Sequence, residues 1–232
     1  MIKTSLKADI KVISREPILL LFMVLPVIMF IVFRGIISFG EVYLYKLTNI
    51  VLWDYYGYIL AGILLITPSM LGTVAGFLMI DERDIKINEL ISVTPIGYIG
   101  YIVNRLIIPF VGSFIYTFCA YYILNLFFIS NLLLIYIAIL LGLQGIFISF
   151  ILYRVADDKV KGLTYAKGLN VFIVFAMADL INIPWVIYIA VTTPFYWIIR
   201  LIVDENKLGA ILISAIVHIV YTTVLVWLGK RV

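Results

Sequence analysis

The sequence predicts an all-α integral membrane protein with six transmembrane helices, an amphipathic helix between spans 2 and 3, and a broken, re-entrant segment between spans 5 and 6. Three observations carry this. Of the 232 residues, 65% are hydrophobic and 13% charged, against about 25% charged in soluble domains. Apolar runs of about twenty residues, the length that crosses a bilayer, recur along the whole chain. Lysine and arginine concentrate in alternate connections, as they do on the inner side of a membrane.

Residues 2–15 read as an amphipathic helix, with Ile2, Leu6, Ile10 and Ile13 on one face and Lys3, Lys7 and Lys11 on another. That pattern suits an anionic bilayer surface; the plainer reading is a basic tail without structure. Lys3, Lys7, Lys11 and Arg15 also resemble the start of a signal peptide. The apolar run behind them exceeds a signal's usual length and no small-x-small site follows, so an uncleaved first span is expected. Span 1 covers about 18–39, with Pro26 inside and Arg34 placed to snorkel to the headgroups. Residues 40–57 are expected to form a loop carrying the interfacial aromatics Tyr43, Tyr45, Trp53, Tyr55 and Tyr56.

Span 2 covers about 58–80. Thr67-Pro68 should kink it, and Gly57, Gly62, Gly72 and Gly76 let a neighbour approach closely. The most charged run follows, Asp81–Gly97, DERDIKINELISVTPIG. As one helix over 81–95 it sets Ile80, Arg83, Asp84, Ile87, Leu90, Ile91 and Thr94 on one face. Asp81, Glu82 and Asp84 then fall in the first turn, where the helix dipole favours anions. Pro95 stops the helix by disfavouring the α region at Thr94. Such a piece lies on the bilayer, docks into a partner, or is a polar turn that happens to be helical.

Leu106–Tyr153 carries no charge over 48 residues, too long for one span. Asn125 and Asn131 bracket a turn that divides it into span 3 (about 101–126) and span 4 (about 132–153). Arg154–Lys167 reads as a polar loop and a possible second contact with a partner. Span 5 covers about 168–189. Asp179, Asn182 and Pro184 interrupt it, and its apolar character runs on to Ile199. A break near Pro184 or Pro194 with partial re-entry is expected, with Trp185, Tyr188, Tyr196 and Trp197 at the outer interface. Span 6 covers about 208–228.

With the N-terminus inside, 13 of the 17 lysines and arginines lie on the inner side. Arg34, Lys46, Arg200 and Lys207 are the exceptions. This places both termini and residues 81–97 in the cytoplasm.

The N-terminal LKADIKVISREPILLLFMVLPVIMF and the segment ELISVTPIGYIGYIVNRL resemble ABC-2 type transporter permeases. The family pattern there is Glu-x-Leu-Leu-x-Thr-Pro followed by a basic residue; Glu89, Leu90, Ile91, Thr94, Pro95 and Arg105 match it. Where the family often has Gly-Thr before the Glu, this chain has Lys86-Ile87. The resemblance implies an exporter subunit in the inner or plasma membrane of a prokaryote. Six spans would form half of a pathway and pair with a second permease chain, identical or paralogous. Separate ATP-binding cassette subunits would dock on a coupling helix contributed by Glu82, Arg83, Ile87, Glu89, Leu90, Ile91, Thr94 and Pro95. ATP and Mg belong to those subunits, and no cofactor is expected in this chain.

The chemistry in the sequence agrees with a non-enzymatic role. There is no G-x-x-x-x-G-K-[ST] phosphate loop, no H-E-x-x-H, no paired cysteines and no G-x-S-x-G elbow. Cys119 is the single cysteine, so no intrachain disulfide is possible. No nucleic-acid partner is implied. Asp179 and His218 each fall about eleven residues into their spans, near the midplane, and are expected to pair. Gln144, Thr67, Ser69, Tyr116 and Thr117 complete a polar layer. Asp179, His218, Gln144 and Thr117 are candidate pathway residues, or interhelical hydrogen bonds that fix the bundle. An intramembrane enzyme or a proton-coupled transporter built on Asp179 and His218 is the alternative. The apolar, aromatic character favours a hydrophobic or amphipathic substrate such as a drug or an antimicrobial peptide.

Overall fold

The computed structural model describes residues 9, 11–95, 97–204 and 207–229. Among them there are helices and no strand. Of the expected amphipathic helix over 2–15, residues 11–13 are helical and 1–8 and 10 lie outside the described residues. Ten α-helices follow: α1 (Pro17–Thr48), α2 (Tyr56–Asp84), α3 (Ile87–Ser92), α4 (Gly97–Leu124), α5 (Asn131–Val155), α6 (Lys159–Ala176), α7 (Ala178–Ile181), α8 (Pro184–Val191), α9 (Pro194–Val203) and α10 (Lys207–Gly229). Five of them, α1, α2, α4, α5 and α10, are long and apolar enough to span a membrane. The bent pair α8 and α9, at 105° to one another, makes up to six. The chain is a multi-pass, all-α membrane protein.

The centre of the bundle is α2. In its most apolar stretch 89% of residues are buried, against 22% in α4 and in α10. It packs on α5, α4, α6, α1 and α9. Small residues make that possible. A Cβ on Gly72 would lie 2.9 Å from the Gly145 carbonyl oxygen and 2.9 Å from Ile148 Cβ, and one on Gly145 would lie 3.0 Å from the Pro109 carbonyl oxygen. So α2, α5 and α4 meet backbone to backbone, where side-chain packing supplies the association that water cannot. Pro68 lies inside α2 without ending it.

Several boundaries differ from the sequence reading. The expected loop 40–57 is largely helical: α1 continues to Thr48, carrying Tyr43 and Tyr45, and Leu52–Tyr55 is a 3₁₀ turn. Nothing in the sequence breaks α1 before Asn49, which closes it in the left-handed region at φ 56. The polar loop expected over 154–167 is only three residues long. Asp158 caps α6 by accepting from the Lys161 amide at 2.8 Å, so the helix starts at Lys159, nine residues before the expected span. It then ends at Ala176. Further breaks fall at Asn182 and at Thr192–Thr193, just before α8 and α9, the helices that Pro184 and Pro194 begin.

Candidate coupling site

The last turn of α2 holds Asp81, Glu82 and Arg83, and each reaches a different helix. The Asp81 carboxylate meets Lys159 Nζ of α6 at 2.6 Å, and the same ammonium binds Glu16, just before α1, at 2.5 Å. Glu82 accepts from Arg105 of α4, with Nε at 2.7 Å, and from the Tyr101 hydroxyl at 2.8 Å. Arg105 also binds Asp9 of the N-terminal segment. Arg83 donates to the carbonyls of Tyr153 at 2.9 Å, Ala156 at 2.7 Å and Asp157 at 2.8 Å, capping the end of α5. One tripeptide thus ties five segments together.

Arg105 is buried, 8% exposed, between two carboxylates, of which Asp9 is 4% exposed. Burial raises the Asp9 carboxyl above its usual range, against the pull of Arg105. Burial pulls the Lys159 ammonium down, but its hydrogen bonds to Asp81 and Glu16, and their charges, outweigh this and raise it. On the surface, a hydrogen bond from Lys161 holds Asp157 below the usual carboxylate range.

The helix expected over 81–95 is therefore two pieces. Glu82 and Arg83 end α2, while Ile87, Glu89, Leu90 and Ile91 belong to α3, with Thr94 and Pro95 in the turn beyond it. Three acidic residues at a helix C-terminus oppose the dipole; Arg105 and Lys159 offset two of them, and Arg83 lies 3.9 Å from Asp84. Between the pieces Lys86 sits at φ 60. A non-glycine residue there is disfavoured by about 1–2 kcal/mol. Lys86→Gly is expected to stabilise the α2–α3 junction by roughly 0.5–1 kcal/mol, since the added unfolded-state entropy offsets part of the relief. Thermal unfolding in detergent checks this; a lower midpoint would show that the lysine side chain holds the junction.

Packed on α4 and the end of α2, α3 half-buries Ile87 and Ile91. Outward, Ile85, Leu90, Val93 and Ile99 are 66%, 66%, 85% and 78% exposed. Glu89, Thr94 and Pro95 are also exposed. These apolar side chains stand exposed beside the charged Asp84, Lys86 and Glu89, at the end of the bundle where the ionic cluster lies.

The pathway candidates divide. Gln144 and His218 meet, with Gln144 Nε2 3.2 Å from His218 Nε2. Thr117 is buried on α4 and donates to the Ser113 carbonyl at 2.7 Å. Ser69 binds Asn170. Asp179 does not pair with His218. It accepts from Tyr196 at 2.9 Å and Arg200 at 3.0 Å. The reason is the early start of α6. The 18 residues of α6 from Lys159 to Ala176 span about 27 Å, which carries Asp179, in α7 just beyond, past mid-depth toward the opposite end of the bundle. There α9 packs on the start of α2, where a Cβ on Gly57 would lie 3.0 Å from Val203. Among the described residues no cluster of acids, histidines or cysteines is arranged to hold a metal.

Arg34, expected to snorkel, instead donates to the Leu124 carbonyl at 2.8 Å and caps α4. Lys207 likewise caps α9 through Leu201 and Ile202. With Arg200 bound to Asp179, three of the four exceptions to the basic asymmetry have structural partners.

The sequence reading counted Lys159 only as a basic residue and Arg105 as the basic residue of the family pattern, and singled out neither Asp9 nor Glu16. The available signal was the acid-rich Asp81–Asp84 itself: carboxylates at the end of a buried helix call for cations from its neighbours.

No curated protein and no solved structure is similar enough to the chain to match it. A family model does, over residues 9–229, nearly the whole chain and all the elements described above. Its description is "Fluoroquinolones export permease protein Rv2686c-like". The chain belongs to this family of export permeases, an ABC-2 type.

Proposed function

We propose that the chain is the membrane subunit of an ATP-driven exporter of amphipathic drugs, and that separate ATPase subunits dock on α3. Family membership supports export, and the family description points to fluoroquinolone-like substrates. The observation that carries the coupling role is the packing of α3 on α4 and on the end of α2, whose last turn holds the Asp81-Glu82-Arg83 cluster. A push on α3 reaches α2, and from there α4, α5, α6 and the segment before α1, without passing through a flexible linker. The exposed apolar patch at Ile85, Leu90 and Val93 suits a hydrophobic cleft on a soluble partner. In this reading the α3 end faces the cytoplasm, both termini lie inside, and two permease chains line one pathway. The apolar faces of α1, α4 and α10 meet lipid or the second chain.

The test is reconstitution. The chain is co-expressed with a candidate ATP-binding cassette subunit, purified as a complex and placed in proteoliposomes. Fluoroquinolone-stimulated ATP hydrolysis, and transport that persists when the proton gradient is collapsed, are expected. Transport that needs the gradient and ignores ATP would favour the proton-coupled reading instead.

A further inference from the structure

The far end of α1 is longer than a bilayer requires. The helix starts at Pro17, next to Glu16 of the ionic cluster, and runs 32 residues to Thr48. At about 1.5 Å per residue, Glu41 lies about 36 Å along it and Lys46 about 44 Å. Both are beyond the roughly 30 Å of a hydrocarbon core, at the end of the bundle opposite the cluster. There Asn49 turns the chain in the left-handed conformation, and the Ile50 amide donates to the Thr48 hydroxyl at 3.3 Å. The linker that follows borders the helix end, and the two shape a cavity of about 310 Å³ whose walls include Glu41, Val42, Tyr45, Lys46, Ile50 and Val51. The volume falls at the lower end of the range for small-molecule sites, about 300–1,000 Å³.

Two charges of opposite sign line this cavity. The Tyr56 hydroxyl donates to Glu41 Oε2 at 2.9 Å, which holds the carboxylate in place and leaves its charge. Lys46 is the fourth exception to the basic asymmetry; the other three, Arg34, Arg200 and Lys207, are bonded within the protein. It stands exposed in the last turn of α1, where the helix dipole favours a cation. Among the described residues neither Glu41 nor Lys46 enters an ion pair. The wall between them is apolar: Val42, Tyr45, Ile50 and Val51 are all exposed, at a level where hydrocarbon does not cover them. Apolar surface of this kind marks a groove for a ligand. Five residues separate Glu41 from Lys46, about 7.5 Å along the helix axis. The ligand that answers both charges and the wall is a zwitterion, with an amine cation and an acid anion at opposite ends of a ring-sized apolar body.

We propose that this cavity binds a zwitterionic amphiphile, its ammonium at Glu41, its carboxylate at Lys46 and its rings against Val42, Tyr45, Ile50 and Val51. The occupant is the exported drug: a fluoroquinolone bearing a piperazine ring carries this pair of charges on an aromatic body near neutral pH. As the place where the drug is held at the exit end, the site rests on the exporter reading above; as a binding site it does not.

The test uses the full-length chain in dodecyl maltoside, without the ATPase and without added lipid. Three probes share one fluorescent ring system. Ciprofloxacin keeps both charges, its methyl ester keeps only the ammonium, and its N-acetyl derivative keeps only the carboxylate. Binding is followed by probe fluorescence, with empty micelles subtracted. Saturable binding of ciprofloxacin, about fivefold tighter than of either derivative, is expected, the upper end for an ion pair at a surface. Glu41→Gln keeps an acceptor for Tyr56; it should weaken ciprofloxacin to the level of the N-acetyl derivative and leave that derivative's binding unchanged. Lys46→Gln, at an exposed position, should weaken ciprofloxacin to the level of the methyl ester and leave the ester unchanged. Equal affinity for the three probes in the unmodified chain, or unchanged ciprofloxacin binding in either variant, would overturn the site. Dihexanoyl phosphatidylethanolamine should displace ciprofloxacin only weakly. Displacement at lower concentrations than ciprofloxacin itself needs would assign the cavity to a lipid headgroup and overturn the drug as its occupant. Probe binding as described together with failed ATP-driven export leaves the site standing and defeats the exporter reading. Normal export by a Lys46→Gln chain with weakened binding defeats the site's part in transport.

Discussion

Arg105→Met should destabilise the chain by about 3–5 kcal/mol, the effect of removing one partner from a buried ion pair. The guanidinium is nearly buried and stands between Asp9 and Glu82, whose side chains are themselves 5% and 15% exposed. Without it, two carboxylates lie together in a poorly hydrated place with only the Tyr101 hydroxyl to donate to Glu82. The expected readout is loss of the monodisperse peak in detergent chromatography, or a large drop in thermal midpoint. Adding Glu82→Gln and Asp9→Asn to Arg105→Met should recover much of it, because no orphan charge remains. Arg105→Lys should recover little, since a single ammonium cannot reproduce the forked contact of Nε and Nη2 with one carboxylate and Nη1 with the other. A wild-type midpoint in Arg105→Met would show that the cluster contributes nothing to stability.

Leu90→Asp should separate folding from function. The side chain is 66% exposed on α3, so the chain should insert and unfold as before. If α3 is the docking element, a charge at the middle of its apolar patch removes a contact of the hot-spot class, about 2 kcal/mol or more, a roughly thirtyfold loss of affinity. Co-purification with the ATPase should fail and transport should fall to background. Ile91 is less suited to this test, because it is half-buried against the neighbouring helices and Ile91→Asp would disturb α3 itself. Normal complex formation and transport by Leu90→Asp would remove α3 from the interface.

These two residues also mark what sequence reasoning reaches. The spans were legible wherever a charge-free run met a turn residue. Asn125 between spans 3 and 4 is one case, and the structure places it at φ 45 at the end of α4. The broken segment after Asp179 was legible from its two prolines. The 81–95 helix was misread because its apolar period continues across Ile85-Lys86, and periodicity cannot register a left-handed residue. The Asp179 partner was misread for a related reason. An N-cap at Asp158 starts α6 nine residues early, and a nine-residue error in a helix start moves a side chain by roughly half a bilayer. Arg200 was available as the alternative partner, an opposite charge in the same apolar stretch, but the inside–outside count had treated it only as an exception. Gln144 and His218 were placed at one depth because both helices begin close to where the sequence put them.

The grip of Lys159 on both Glu16 and Asp81 has a consequence for assembly. The two acids stand just before the first spanning helix and at the end of the second, yet their shared cation is made only after the fourth. As the chain emerges from the ribosome, Glu16 and Asp81 approach each other with like charge and nothing between them. Arg105 arrives with the third span and can settle Glu82, but the gap between the first two helices stays electrostatically open until α6 begins. The most enclosed helix of the protein therefore acquires its full set of neighbours late. A chain released before residue 159 would hold its helices in the membrane with the α3 end unlatched.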